Sequence, residues 1–210
     1  MHRLIKEKKI KTHVVILGEG ITSRSDKRDQ ALWKQELDAH KKNIEKARLA
    51  IGYDTISIHD YPDNRFDTVA LLDLIKTIEK EKSSFNPDMI FTHHGGDVNI
   101  DHRRTFEAVI TACRPMAHET VATILTFETP SGTEWRASTD PYHFIPNFFI
   151  SINEENLDAK ISGMEAYEFE KRKYPHPRSP EALKVQAQRW GISIGVPYAE
   201  AFCIVRGIYK

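Results

Sequence analysis

Asp88-Met89-Ile90-Phe91-Thr92 leads through His93-His94-Gly95-Gly96-Asp97-Val98-Asn99-Ile100-Asp101 to His102, after which Phe106, Val109, Ile110 and Cys113 recur at helical spacing. The segment changes period once. A short apolar run with β-branched residues reads as a strand buried on both faces. The i, i+3, i+4, i+7 pattern after His102 reads as a helix with one buried side. Between them lies a polar loop whose two glycines permit a sharp turn or a close backbone approach.

The same alternation extends to both sides. Thr12 to Leu17 (THVVIL) reads as a strand ended by Gly18-Glu19-Gly20, and a helix follows from about Arg28 to Ile51, stopped by Gly52. Thr55 to Ile58 is a second strand, ending in the turn Tyr61-Pro62-Asp63-Asn64; Val69, Leu72, Ile75 and Ile78 then mark another helix. Val121 to Phe127 is the strand after the quoted helix, and helices are expected over 154–173 and 180–190. Alternating strands and helices, with continuously apolar strands, predict an α/β fold. The expected form is a Rossmann-like three-layer sandwich, a mostly parallel sheet covered on both faces. Residues 1–210 are expected to form a single domain, since no repeat, linker or low-complexity tract interrupts them.

In such sheets ligands bind at the carboxyl ends of the strands. Three polar loops lie there: Gly18 to Arg28, Tyr61 to Phe66, and His93 to Asp101. The third is richest in groups that carry chemistry. A histidine on the first turn of a helix, beside a strand end, can offer a neutral nitrogen to a metal, and a neighbouring carboxylate can orient it. Asp101-His102 fits that description. It equally fits an ordinary helix start, with Asp101 as cap and His102 exposed.

Composition narrows the partners. The 210 residues carry 30 Lys plus Arg and 30 Asp plus Glu, so the formal charge is zero. That balance argues against nucleic acid or an anionic membrane surface as the main partner. No apolar run reaches the roughly 20 residues of a membrane span, and the basic stretch after Met1 has no apolar core of a signal peptide. A cytoplasmic location is expected, and a homo-oligomer is compatible with it. Cys113 and Cys203 sit in apolar contexts and are expected to be buried free thiols.

Other residues have two readings each. His176-Pro177-Arg178-Ser179 could bring a histidine and an arginine to substrate hydroxyls, or could simply end one helix while Ser179 caps the next. Asp63 and Arg65 could touch a sugar, although a Pro-Asp-Asn turn requires no function. His40 and the tryptophans Trp33, Trp135 and Trp190 read as packing residues, with Trp135 a candidate for stacking on a sugar ring. Gly18-Glu19-Gly20 lacks the third glycine of a dinucleotide fingerprint.

Taken in order, several of these segments resemble the LmbE-like, or PIG-L, family of zinc-dependent N-deacetylases. The Asp97 to His102 stretch resembles the family's second signature, an Asp-His pair opening a helix after a Gly-Asp loop. Gly18-Glu19-Gly20 with Ser23-Arg24, Tyr61-Pro62-Asp63-Asn64, Ser131 to Trp135, Phe144 to Asn147, Tyr174 to Ser179 and Ala199 to Phe202 resemble its other regions. The resemblance implies hydrolysis of an N-acetyl group on an amino-sugar or glycoconjugate substrate of N-acetylglucosamine type. It implies zinc as cofactor with His102 as a metal ligand, and Asp101 tuning a nearby histidine. At the position where many members carry an oxyanion-stabilising histidine stands Asn99, whose amide can donate a hydrogen bond but not a proton, leaving His94 or His176 as candidate acids. His176, Arg178, Asp63 and Arg24 are the candidate substrate-binding residues.

One part of the pattern is missing. The family's first motif, His-Pro-Asp-Asp, occurs nowhere in the chain. The basic, half-amphipathic opening (Leu4, Ile5, Ile10) reads as the back half of a helix, so the first strand and part of the first helix are expected to be absent, roughly 20 residues on strand and helix rise. A catalytic zinc takes about three protein ligands. With one matched ligand, weak or no zinc binding is expected. Two readings follow: an amino-sugar N-deacetylase in the complete gene product, or a catalytically inactive, metal-free sugar-binding remnant. A nucleotide-binding Rossmann-like protein ranks behind both.

Overall fold

Two parallel strand pairs carry the architecture. The computed structural model describes residues 1–209. In chain order the elements are α1 (His2–Lys8), β1 (His13–Gly18), α2 (Lys34–Ile51), β2 (Thr55–Tyr61), α3 (Leu71–Phe85), β3 (Met89–His93), α4 (Ile100–Ala112), β4 (Thr123–Phe127), β5 (Phe148–Ile152), α5 (Glu154–Glu165), α6 (Pro180–Ile194) and β6 (Tyr198–Gly207). Their contacts divide the chain into two units, Met1–Asp63 with Phe149–Glu200, and Asn64–Phe148 with the residues from Ala201 onward.

In the first unit β1 and β2 pair in parallel, from His13 opposite Thr55 to Ile16 opposite Ile58, with an irregularity before Gly18. A reciprocal clamp starts the pair: Asp54 accepts from the Thr12 amide (2.7 Å) and hydroxyl (2.9 Å), and Thr12 Oγ1 accepts from the Asp54 amide (2.9 Å). Helix α2 buries Ile44 and Ala47 and ends at Gly52, whose φ of 87° a side chain would resist. It begins at Lys34, later than the periodicity predicts. Asp29 accepts from the Leu32 amide (2.9 Å) in a turn, and the Arg28 side chain is drawn to Glu19. Helix α5 opens on a capping box between Asn153 and Asn156 and stops at Glu165, short of the expected 173. Ser179 caps α6 by accepting from the Ala182 amide (3.1 Å), with Pro180 in the first turn.

In the second unit β3 and β4 pair in parallel, Met89 opposite Thr123 through His93 opposite Phe127. Helix α3 buries Leu74, Ile75 and Ile78. Leu74 is fully buried, so Leu74→Ala should cost about 2–5 kcal/mol. The end of α4 is held from two sides. Lys82 Nζ donates to the Ala112 carbonyl (2.7 Å), and Arg206 donates to the carbonyls of Cys113 (2.5 Å) and Val121 (2.9 Å). Strand β6 pairs antiparallel with β4. The α/β expectation holds, with six helices and parallel strand pairs among the described residues, but the closing strand runs against the parallel direction. Cys113 is buried, and burial pushes its thiol up to about 11. Cys203 departs from the expectation: it is only partly buried, and its thiol donates to the Ile145 carbonyl (3.2 Å). Among the described residues no helix is long and apolar enough to cross a membrane.

Candidate functional site

The loop between β3 and α4 is built around a carboxylate that the sequence pattern does not single out. Asp97 is fully buried. Its Oδ1 accepts from the Asn99 amide (2.8 Å), its Oδ2 accepts from the Thr133 hydroxyl (2.9 Å), and Oδ2 lies 3.1 Å from His102 Nδ1. That last contact is close but not an aligned hydrogen bond, since Nδ1 has no hydrogen-bond partner among the described residues. Burial pushes the Asp97 carboxyl up, but the His102 ring, the Asn99 amide and the Thr133 hydroxyl together hold it below the ordinary carboxylate value. A Cβ on Gly132 would come within 2.8 Å of both oxygens, so that backbone closes the pocket around the carboxylate.

His102 stands on the first turn of α4, partly exposed, and its ring lies flat on His93 with centroids 4.0 Å apart and planes within 2°. Burial, reinforced by His102, lowers the His93 imidazole to about 3, so its ring is neutral at ordinary pH. Its Nδ1 lies 3.2 Å from Thr129 Oγ1. A carboxylate facing Nδ1 of His102 favours the tautomer with the proton there, which leaves the Nε2 lone pair open.

The adjacent histidines part company. His93 faces His102 and Phe127, whereas His94 packs on Phe144, sends Nε2 to the Tyr142 carbonyl (2.9 Å) and places Nδ1 3.5 Å from Thr126 Oγ1. Side-chain alternation at the strand end separates them. The glycines that follow are required: a Cβ on Gly96 would lie 1.8 Å from the Tyr142 carbonyl, and one on Gly95 would lie 2.6 Å from the Phe106 ring.

Asn99, not Asp101, caps α4: its Oδ1 accepts from the Asp101 amide (2.8 Å). Its Nδ2 donates to Asn64 Oδ1 (2.9 Å). Asp101 accepts from the backbone amides of Asn64 (2.7 Å) and Phe66 (3.0 Å), holding the turn that follows Asp63. The carboxylate that meets His102 is therefore Asp97, which sequence reasoning passed over. The signal it left is its place directly after two glycines that force the loop back on itself.

The candidate substrate-binding residues Arg24, Asp63, His176 and Arg178 belong to the first unit, where three of them form one network. Arg24 donates to Glu170 Oε1 (2.8 Å) and to the Phe169 carbonyl (3.1 Å), and Arg178 pairs with the other Glu170 oxygen. His176 Nδ1 accepts from the Arg178 amide (3.2 Å). Asp63 accepts from the Ser23 hydroxyl (2.5 Å) and amide (3.2 Å). Beside them His40 packs on Tyr167, and its Nε2 would lie 3.0 Å from a Cβ at Gly20.

The donors present do not suit a zinc ion. Among the described residues no group of three or more His, Cys, Asp or Glu is placed to hold a metal. His93 and His102 cannot converge on one ion, because their lone pairs lie in parallel planes, and Asp97 already accepts from Thr133 and Asn99.

Comparison with known proteins adds an independent line. Residues 1–113 match the family described as PIG-L: GlcNAc-PI de-N-acetylase, a match that spans the loop and α4. "Uncharacterized deacetylase YaiS" of Escherichia coli (strain K12) is 26% identical over 136 residues, 62% of this chain and 65% of that protein. The chain thus matches less than two thirds of that relative's length. The N,N'-diacetylchitobiose deacetylase of Pyrococcus horikoshii has a similar structure, with a TM-score of 0.73 at 17% identity over 98% of this chain and 77% of that one. GalB, the 4-carboxy-2-hydroxymuconate hydratase of Pseudomonas putida KT2440, has a TM-score of 0.70 at 18% identity over 100% of this chain and 90% of that one. At such identities the likeness establishes the fold, which a deacetylase and a hydratase share.

Proposed function

The chain belongs to the PIG-L, or LmbE-like, family, and from that premise we propose that the protein is a hydrolase that removes the N-acetyl group from an amino-sugar derivative. The observation that carries the reading is His102. Its ring is fixed between the buried Asp97 carboxylate and the neutral His93, at the carboxyl end of a parallel strand, with Nε2 left open. Such an arrangement offers a lone pair at a reaction centre without freedom to turn away.

In the reaction a water oxygen bonds to the acetamido carbonyl carbon, one of its protons passes to the amide nitrogen as the C–N bond breaks, and acetate and the free amine leave. His102 offers its lone pair at that centre, held in register by Asp97 and His93. The Asn99 side-chain Nδ2 donates to the carbonyl oxygen as negative charge develops there. Asp101 holds the turn that carries Asn64, and so acts on Asn99 indirectly. His94, with Nε2 on the Tyr142 carbonyl, shapes the loop from its other face. Within the first unit, Arg178, His176, Arg24 and Asp63 form the polar cluster proposed to bind sugar hydroxyls. Zinc, which the family resemblance implies, would need donors beyond His102, and no step above passes through it.

A second reading, sugar binding without hydrolysis, is favoured by one observation: the imidazoles of His93 and His102 stack instead of converging. Acetate release from a panel of N-acetylglucosamine derivatives, with and without added zinc, separates the two. The hydrolase reading expects release from at least one compound. Calorimetric binding of those sugars with no acetate from any of them replaces it with the second.

A further inference from the structure

Asn64 lies in the Tyr61-Pro62-Asp63-Asn64 turn, whose chemistry the sequence places on Asp63. Its backbone has a φ of 53°, a left-handed conformation that asparagine and glycine tolerate better than other residues. Three bonds use that conformation. The Asn64 amide donates to Asp101 Oδ2 (2.7 Å), the Phe66 amide donates to Asp101 Oδ1 (3.0 Å), and Asn64 Oδ1 accepts from Asn99 Nδ2 (2.9 Å). Asn99 is bound at its other end too, since its Oδ1 accepts from the Asp101 amide (2.8 Å). The carboxamide is thus pinned at oxygen and nitrogen, and its plane is fixed. One Nδ2 hydrogen goes to Asn64, and the direction of the second is set by the first.

We propose that Asn64 is a positioning residue for Asn99: it holds the Asn99 carboxamide so that the second Nδ2 hydrogen is presented to the carbonyl oxygen of the substrate acetamide as that oxygen becomes negative. The inference rests on the hydrolase reading for the identity of the acceptor, but the ordering of Asn99 by Asn64 does not. A preorganised donor contributes to rate because it need not be reoriented when charge develops. A donor that swings freely loses that advantage while still touching the ground state. Asn64 should therefore affect turnover more than substrate binding.

Two variants and two readouts test this. Asn64→Gly keeps a residue at home in the left-handed turn and removes the acceptor with the rest of the side chain, and a matched melting temperature confirms that the fold is retained. Asn64→Asp keeps an acceptor oxygen at the same place. In acetate-release kinetics, Asn64→Gly should lower kcat by about 10-fold with KM changed less than about 2-fold, and Asn64→Asp should recover most of that loss. In nuclear magnetic resonance, the Asn99 side-chain amide should be ordered in the native protein and in Asn64→Asp, and mobile in Asn64→Gly. An Asn99 amide equally ordered in Asn64→Gly overturns the positioning role, whatever the activity. Unchanged kcat in Asn64→Gly, in a protein that releases acetate, overturns its bearing on rate. If the native protein releases no acetate, the hydrolase reading fails by itself, and the amide measurement still decides whether Asn64 orders Asn99.

Discussion

Glu19 in the first unit and Asp97 in the second are both buried carboxylates, and they are satisfied in different ways. Glu19, in the first unit, accepts from Arg28 Nε and Nη2 (both 2.9 Å), from the Thr22 hydroxyl (2.5 Å) and from the Gln30 amide, while Arg28 also donates to the Asp60 carbonyl (2.6 Å). Asp97, in the second unit, has a hydroxyl and a backbone amide, and its third neighbour is an imidazole in poor alignment. A bidentate pair with a permanent cation closes a loop and leaves nothing over. A carboxylate beside an imidazole orients that ring and leaves its far nitrogen available. The first arrangement stabilises the fold. Under the proposed hydrolase function, the second orients a group for chemistry.

If that contrast is right, conservative amide substitutions at the two positions should differ in their effect on turnover. Asp97→Asn preserves shape in a pocket that Gly132 already closes, but an amide N–H facing His102 Nδ1 forces the proton to Nε2 and removes the open lone pair. Acetate release should fall by about 10- to 100-fold, with a stability loss of about 1–3 kcal/mol because the buried Thr133 hydroxyl or Asn99 amide then faces an N–H in place of an acceptor. Glu19→Gln should leave turnover within a few-fold and cost about 2 kcal/mol, a loss of roughly 4–8 °C in Tm for a chain of this size. The partial exposure of Arg28 screens the rest of the loss. Undiminished activity in a folded Asp97→Asn variant, or a large activity loss in Glu19→Gln, would erase the contrast.

Acid sharpens it further. Burial pushes both carboxyls up, but their partners outweigh it and hold both below the ordinary values of 4.5 for Glu19 and 3.8 for Asp97. A depressed carboxyl adds stability that is present above its unfolded value and lost as pH falls through the folded one. Melting temperature should therefore decline as pH falls below about 4.5, and the Glu19→Gln variant should show a shallower decline in thermal scans across that range. The smallest effect is expected in the arginine network of the first unit. Arg178→Ala leaves Arg24 on Glu170, so KM for a sugar substrate should rise by several-fold, roughly 5-fold, with kcat nearly unchanged.

Much of this was legible in the sequence, and the limits have physical reasons. The strands read from THVVIL and DMIFT lie within one residue of β1 and β3, because an apolar run between polar turns has few other readings. The loop at His93 to Asp101 was located for the same reason. Pairing within it was not, since Asp97 reaches His102 only after Gly95 and Gly96 fold against Phe106 and Tyr142. The sequence reading names His94 and gives His93 no role, although His93 is the one that faces His102: neighbours on a strand point apart, and which one faces the helix depends on register. The direction of β6 is a tertiary matter that its own apolar residues do not encode.

The most direct test of the account compares acetate release by the native protein and by His102→Ala on whichever N-acetyl amino-sugar derivative the native protein turns over best, with matched melting temperatures confirming that both are folded. The account predicts a loss of about 100-fold or more in kcat/KM when the imidazole is removed. Equal acetate release by the folded variant would contradict it, and would remove His102 from the centre of the site.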